Sequence, residues 1–212
     1  MSDDLIERLS AELKPVSPRL PGIWLGAAAV VGVIVAAAIM IPWIGLRPDM
    51  ARVYLSPVFW AKFAYTVAFA GLGIWAAIRL ARPGGSIRAP LIGVFVLIAA
   101  TGALGIVQML VAGPQSMRAL VMGGTALVCP FYVLALSVPV YAIVVVVMRR
   151  LAPTNLAAAG FAAGLMAGAV GCWVYAFHCT ESGLPFIAIW YSAGILLSAL
   201  LGALAGRFLL RW

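Results

Sequence analysis

Residues 156–177 read LAAAGFAAGLMAGAVGCWVYAF, a run without a single charged side chain. An α-helix rises about 1.5 Å per residue, so a run of this length crosses the roughly 30 Å hydrocarbon core of a bilayer. Gly164 and Gly168 form a GxxxG pattern, which lets two helices approach closely in lipid. The stretch therefore predicts a membrane-spanning helix packed against another helix of the same bundle or of a dimer.

Composition extends this prediction to the whole chain. Of its 212 residues, 65% are hydrophobic and 9% are charged, and the mean hydropathy is +1.13. Soluble domains are about 45–50% apolar and about 25% charged. Six continuously apolar segments run from Gly22 to Gly45, Val58 to Leu80, Pro90 to Ala112, Thr125 to Met148, Leu156 to Phe177 and Phe186 to Leu209. Because barrel strands alternate in polarity, these segments predict an all-α polytopic membrane bundle of six transmembrane helices.

The basic residues predict the orientation of this bundle. One side would carry ten of the fourteen Lys and Arg residues, namely Arg8, Lys14, Arg19, Arg79, Arg82, Arg88, Arg149, Arg150, Arg207 and Arg211. The other side would carry Arg47, Arg52, Lys62 and Arg118. An excess of basic residues marks the cytoplasmic side. We therefore expect both termini to be cytoplasmic, and we attribute the net charge of +8 to topology and not to nucleic-acid binding.

The first 21 residues form a separate cytoplasmic tail, and residues 22–212 form the transmembrane domain. The tail carries an apolar stripe at helical spacing, made of Leu5, Ile6, Leu9 and Leu13. A lone helix this short is marginal in water, and its polar face is mostly acidic, which disfavours an anionic membrane surface. The stripe therefore favours docking into a groove of a partner protein, with docking on lipid or on the protein's own helices as the alternative.

The loop after the fifth segment gathers the chain's only histidine, one of three cysteines and one of six acids, in the order His178, Cys179 and Glu181. Cys129 lies near the same end of the fourth segment, so these two cysteines are the pair expected to meet. Cys172 lies about 10 Å deeper than Cys179 and receives no role. We expect Pro130 to disrupt the helix beside Cys129 and so to ease a change of thiol partners.

Thiols on the outer side of a bacterial inner membrane face an oxidising environment, which favours a redox or thiophilic-metal role. His178 would favour the reactive thiolate of Cys179, and Lys62 would extend towards the membrane surface. A zinc site from Cys129, His178, Cys179 and Glu181 remains an alternative, although its spacing fits no standard pattern. A thiol oxidoreductase would require a CxxC pair, which the chain lacks.

Three features of the chain together resemble the NrsF-like membrane anti-sigma factors. They are the tail pattern D-D-L-I-x-x-L-x-x-x-L-x-P-V from Asp3 to Val16, the six predicted helices, and the placement of Cys129 and Cys179. The resemblance implies a protein without enzymatic activity, cofactor or direct nucleic-acid contact. It implies that the two cysteines trigger release of an extracytoplasmic-function (ECF) sigma factor under oxidative or heavy-metal stress. The position of His178 and Glu181 beside Cys179 suggests them as auxiliary sensing residues. The sigma-binding residues that it implies are Asp3, Asp4, Leu5, Ile6, Leu9, Leu13, Pro15 and Val16.

Two other functional classes remain open, a small transporter or exporter and a membrane thiol-redox protein. The chain lacks an evident internal repeat and has almost no ionisable residue at mid-membrane depth, which disfavours a transporter. The expected surroundings are the lipid bilayer of the bacterial inner membrane and a cytoplasmic sigma factor. A homodimer remains open as an alternative to a monomer.

Overall fold

A computed structural model describes residues 17, 19–82 and 84–211 of the chain. Six long helices follow one another: α1 Leu20–Trp43, α2 Pro57–Leu80, α3 Arg88–Ala112, α4 Cys129–Arg150, α5 Leu156–Tyr175 and α6 Leu184–Leu209. Shorter helical pieces span Met50–Val53, Pro114–Ser116 and Met117–Met122. Each long helix is apolar and long enough to cross a membrane, and the described residues include no strand, which confirms the predicted fold class.

Helix α5, the quoted stretch, is the centre of the bundle. In its most apolar window 78% of the residues are buried, against 11% in the peripheral helix α3. Helices α6, α2 and α4 all pack against it. The buried position of α5 explains its small residues, because several neighbours must approach one backbone.

The closest of these approaches joins α5 to α6. A Cβ atom added at Gly164 would lie 2.8 Å from the Cα atom of Ala199, and one added at Gly206 would lie 2.6 Å from the Cα atom of Gly160. Real side chains do not fit at such distances. The GxxxG pattern therefore packs against another helix of the same chain, which is the first of the two predicted arrangements.

Helix α1, which continues from the tail, packs mainly on α4 and less on α2. At Gly32 an added Cβ would lie 2.7 Å from Val140 Cγ1, so the two helices are in close contact at that level. Near the end of α1, the rings of Trp43 and Tyr132 meet edge to face with centroids 5.4 Å apart. Helices α1 and α4 are therefore in contact both at the level of Gly32 and near the end of α1.

The start of α4 corrects two expectations. The helix begins at Cys129 and not at Thr125, because residues 123–128 form turns. Pro130 thus lies in the first helical turn, where its missing N–H removes no intrahelical hydrogen bond. The proline supports the start of the helix and does not disrupt it. We call the end of the bundle that holds Cys129 the cysteine end, and the opposite end, where α1 begins, the tail end.

Candidate functional site

The three cysteines are free thiols buried at the cysteine end. Cys129 is the first residue of α4, Cys172 lies in the last turn of α5, and Cys179 follows α5. Their exposed fractions are 0%, 0% and 1%. All three sulfur-bearing side chains are therefore covered by the protein. All three are close enough for a charge on one to act on the others, so Cys172, which the sequence left without a role, belongs to the same cluster.

Lys62 of α2 points into this cluster. Its Nζ atom donates a hydrogen bond to the carbonyl oxygen of Cys179 at 3.0 Å and lies 3.5 Å from Cys179 Sγ. Only 1% of the side chain is exposed, so the expectation that Lys62 extends to the membrane surface is wrong. The physical reason is the end of α5, where backbone carbonyl groups lack helical partners and attract a donor.

Arg47, in the loop after α1, binds the same segment from the other side. Its Nη1 atom donates to the Cys179 carbonyl oxygen at 3.0 Å, and its backbone N–H donates to the Phe177 carbonyl oxygen at 3.1 Å. Its Nε and Nη2 atoms bind the Asp49 carboxylate at 2.6 Å and 2.8 Å. This hydrogen bonding raises the pKa of Arg47 and lowers the pKa of Asp49 from their ordinary values. Both groups therefore remain charged at neutral pH.

His178 makes a third connection, which runs to the loop after α1. Its Nδ1 atom lies 3.0 Å from the carbonyl oxygen of Gly45, to which the Nδ1–H tautomer donates. Its ring also packs on Tyr132 and Tyr175. The positive charge beside the Cys179 sulfur thus comes from Lys62, whereas His178 ties the end of α5 to the end of α1.

Glu181 links the loop after Cys179 to the turn before Cys129. Its Oε1 atom accepts hydrogen bonds from the backbone N–H of Gly124 at 2.9 Å and from the hydroxyl of Thr125 at 3.0 Å. Gly123 has a φ of +51°, and a Cβ added there would overlap the Glu181 carboxylate. The glycine is required both by its backbone conformation and by the close approach of this carboxylate.

Two buried hydroxyl groups complete the cluster. The Tyr175 hydroxyl lies beside the Cys129 thiol, and the Tyr191 hydroxyl lies beside the Cys179 thiol. Neither hydroxyl finds a partner of standard hydrogen-bond geometry within the part of the chain that the structure describes. Tyr191 ends a π-helical segment, Ile187–Tyr191, a local irregularity that is frequent at functional sites.

The zinc alternative does not match this geometry. Across residues 19–82 and 84–211, no three side chains of His, Cys, Asp or Glu converge on a common point. His178 and Glu181 are turned towards other partners, so the thiols are left without the nitrogen and oxygen ligands that the alternative required. The predicted sigma-binding residues, from Asp3 to Val16, lie outside the described residues.

Comparisons with known proteins agree over nearly the whole chain. A family described as "NrsF: Negative regulator of sigma F" matches residues 9–212. The "Anti-sigma-F factor NrsF" of Caulobacter vibrioides (strain NA1000 / CB15N) is 37% identical over 212 residues, covering 100% of this chain and 99% of the relative. The "Probable anti-sigma-F factor NrsF" of Azospira oryzae (strain ATCC BAA-33 / DSM 13638 / PS) is 36% identical over 218 residues, with coverages of 100% and 99%. No solved structure matches the chain significantly.

The Glu181 contact generates a prediction about local stability. Replacing Glu181 with alanine removes the acceptor for the Gly124 N–H, and we expect the turn at residues 123–128 to open more easily by about 1 kcal/mol. Hydrogen exchange of peptides that cover this turn, in protein reconstituted in nanodiscs, measures the change. Asp49→Ala removes an acid from another loop of the same end and should leave these peptides unchanged. Equal exchange in the parent and Glu181→Ala proteins would show that the contact does not hold the turn.

Proposed function

Because the chain belongs to the NrsF family of negative regulators of sigma F, we propose that it is a membrane-bound anti-sigma factor controlled by its own thiols. In the resting state the N-terminal tail binds a cytoplasmic ECF sigma factor and keeps it from RNA polymerase. Oxidants or thiophilic metal ions change the bonding of Cys129 and Cys179, and the sigma factor is released. The protein is a regulator and not an enzyme.

The sequence of the tail supports its role as the binding segment. It combines an apolar stripe, Leu5, Ile6, Leu9 and Leu13, with a mostly acidic opposite face. Such an arm has too little apolar surface to fold alone, and binding to a groove buries the stripe at the cost of ordering the segment. The tail joins α1 directly, so a change in the position of α1 changes how the arm is presented.

The distribution of charge supports an orientation in the inner membrane with both termini in the cytoplasm. The tail end of the bundle carries eight arginines among the described residues, namely Arg19, Arg79, Arg82, Arg88, Arg149, Arg150, Arg207 and Arg211. The cysteine end carries Arg47, Arg52, Lys62 and Arg118. Of these four, Arg47 and Lys62 donate hydrogen bonds to the Cys179 carbonyl oxygen. In this orientation the sigma factor meets the tail on the inside, and stress agents reach the thiols from outside.

One observation carries the proposal: each cysteine lies in a segment that contacts either α1 or the loop directly after it. Cys129 begins α4, the main packing partner of α1. Cys179 is attached through Arg47, which binds its carbonyl oxygen from the loop directly after α1. The neighbouring His178–Gly45 hydrogen bond reinforces this second connection. A change at either thiol therefore acts on α1 without passing through a long chain of residues.

The energies involved are compatible with a switch. Coupling between two sites in one protein is typically about 1–3 kcal/mol, and a disulfide contributes about 2–4 kcal/mol to stability. Two thiols and one molecule of hydrogen peroxide give one disulfide and two molecules of water. Drawing Cys179 towards Cys129 strains its contacts with Arg47 and Lys62, and that strain favours a different position of α1.

The interior of the bundle supports a regulator over an ion transporter. Among the described residues, the buried polar or charged side chains are Lys62, Thr66, Ser137, Ser192 and Ser198. Proton and ion pathways require carboxylates or histidines at membrane depth, and this set includes none. The only charged member, Lys62, is bonded at the cysteine end.

Substitutions in the tail test the binding segment. We expect Leu9→Asp to weaken co-purification of the sigma factor about tenfold or more, because a charge must then enter an apolar groove. Ala11→Asp adds the same charge away from the stripe and serves as the matched control. Binding is measured by pull-down with full-length protein in detergent at equal membrane levels. Retained binding in Leu9→Asp would exclude the stripe as the contact.

Substitutions of the cysteines test the switch. We expect Cys129→Ser and Cys179→Ser to abolish induction of sigma-dependent transcription by peroxide and by cadmium. Neither variant can form the disulfide with peroxide, and neither can bind a cadmium ion between the two sulfur atoms. Cys172→Ser removes the third buried thiol and should keep most of the response. Reporter transcription in cells, before and after each agent, measures the effect. A parental response in both of the first two variants would contradict the thiol switch.

A further inference from the structure

The proposed switch does not yet use the buried ammonium group of Lys62. We propose that Lys62 makes Cys179 the thiol that reacts first with a hydroperoxide, and that Cys129 is the thiol that then closes the disulfide. This inference rests on the proposed function, and it assigns an order to the two cysteines.

The geometry singles out one sulfur atom. Lys62 Nζ lies 3.5 Å from Cys179 Sγ while it donates to the carbonyl oxygen of the same residue at 3.0 Å. The Tyr191 ring lies on another side of the ammonium, with its centroid 5.8 Å from Nζ. The charged end of Lys62 therefore lies beside the sulfur and is shielded from solvent.

Charge balance points to the same sulfur atom. A buried ammonium is costly without a nearby counter-charge. Among the described residues the two carboxylates are bonded elsewhere, Asp49 to Arg47 and Glu181 to Gly124 and Thr125. The group in contact with Lys62 that can carry a negative charge is the Cys179 sulfur. The ammonium thus favours the thiolate, which is the nucleophilic form of cysteine.

The contacts of the described side chains distinguish Cys179 from the other two thiols. Among these side chains, Lys62 Nζ is the one lysine or arginine nitrogen in hydrogen-bonding contact with a cysteine sulfur, and that sulfur is Cys179 Sγ. Arg47 donates to the carbonyl oxygen of the same residue and not to its sulfur. The other titratable groups near this sulfur are Cys129 of α4, Cys172 of α5 and Tyr191 of α6. Lys62 therefore places a positive charge at this sulfur atom.

The first step oxidises Cys179. Its thiolate attacks one oxygen of hydrogen peroxide, an S–O bond forms and the O–O bond breaks. The departing hydroxide takes a proton from Lys62 and leaves as water. Cys179 is then a sulfenic acid, and the otherwise unpartnered Tyr191 hydroxyl is placed to donate a hydrogen bond to its oxygen. The 1% exposure of Cys179 restricts this step to small oxidants.

The second step closes the disulfide. The Cys129 thiol attacks the Cys179 sulfur, so that the S–S bond forms and the S–O bond breaks. The departing hydroxide takes the proton of the Cys129 thiol and leaves as water. Overall, the Cys179 thiolate and the Cys129 thiol are oxidised by two electrons, hydrogen peroxide is reduced to two molecules of water, and Lys62 is left as the neutral amine.

The test measures oxidation of individual cysteines in full-length protein in nanodiscs, without a sigma factor. In the Cys129→Ser variant, the Cys129 thiol is absent and cannot convert an oxidised Cys179 into the disulfide. Mass spectrometry after treatment with limiting hydrogen peroxide should therefore find the added oxygen on Cys179. We expect Lys62→Met to slow this oxidation about tenfold or more, because the thiolate loses its counter-charge. Lys62→Arg keeps the charge and should restore most of the rate, which a purely structural role would not explain.

Arg52→Met removes an exposed positive charge from the same end and should leave the rate unchanged. An unchanged rate in Lys62→Met would overturn the inference. If Lys62→Met does not fold, the oxidation rates of the two cysteines are compared in variants that retain Lys62. Cys179 in Cys129→Ser must oxidise about tenfold faster than Cys129 in Cys179→Ser, and equal rates would overturn the assignment. Because no sigma factor is present, these results stand apart from the tests of sigma binding and release.

Discussion

The carbonyl oxygen of Cys179 receives two cationic donors, Lys62 and Arg47, and the arrangement of the cysteine end depends on this shared acceptor. Carbonyl groups at the end of a helix lack intrahelical partners, and here the donors come from α2 and from the loop after α1. Three parts of the chain that are distant in sequence thereby meet at one atom. That atom belongs to the residue whose sulfur is proposed to react.

Under the proposed function, this arrangement connects chemistry at one end of the bundle with binding at the other. Arg47 binds the Cys179 carbonyl oxygen, and Cys129 is the first residue of α4. Because α4 packs along α1 and Arg47 follows directly after α1, the proposal takes α1 as the element that a change in either cysteine moves. A change in bonding that alters the balance between two positions of α1 would then regulate the tail.

Much of the fold could be predicted from the sequence, because a membrane selects helices by local hydrophobicity alone. The start of α4 could not, since Thr125–Val128 is as apolar as a helix requires. The carboxylate of Glu181, 56 residues away from Thr125, binds the turn before Cys129. The direction of Lys62 also depended on a distant group, the carbonyl oxygen of Cys179. Cys172 was set aside by its depth on α5, and it joins the cluster because α4 approaches from the side.

The affinity of the sigma factor for the protein in its two oxidation states tests the central claim most directly. Full-length protein in nanodiscs is measured once fully reduced and once with the Cys129–Cys179 bond verified by peptide mapping. The account predicts a dissociation constant about five- to 150-fold higher in the oxidised state. Equal dissociation constants in the two states, with the bond present, would contradict it.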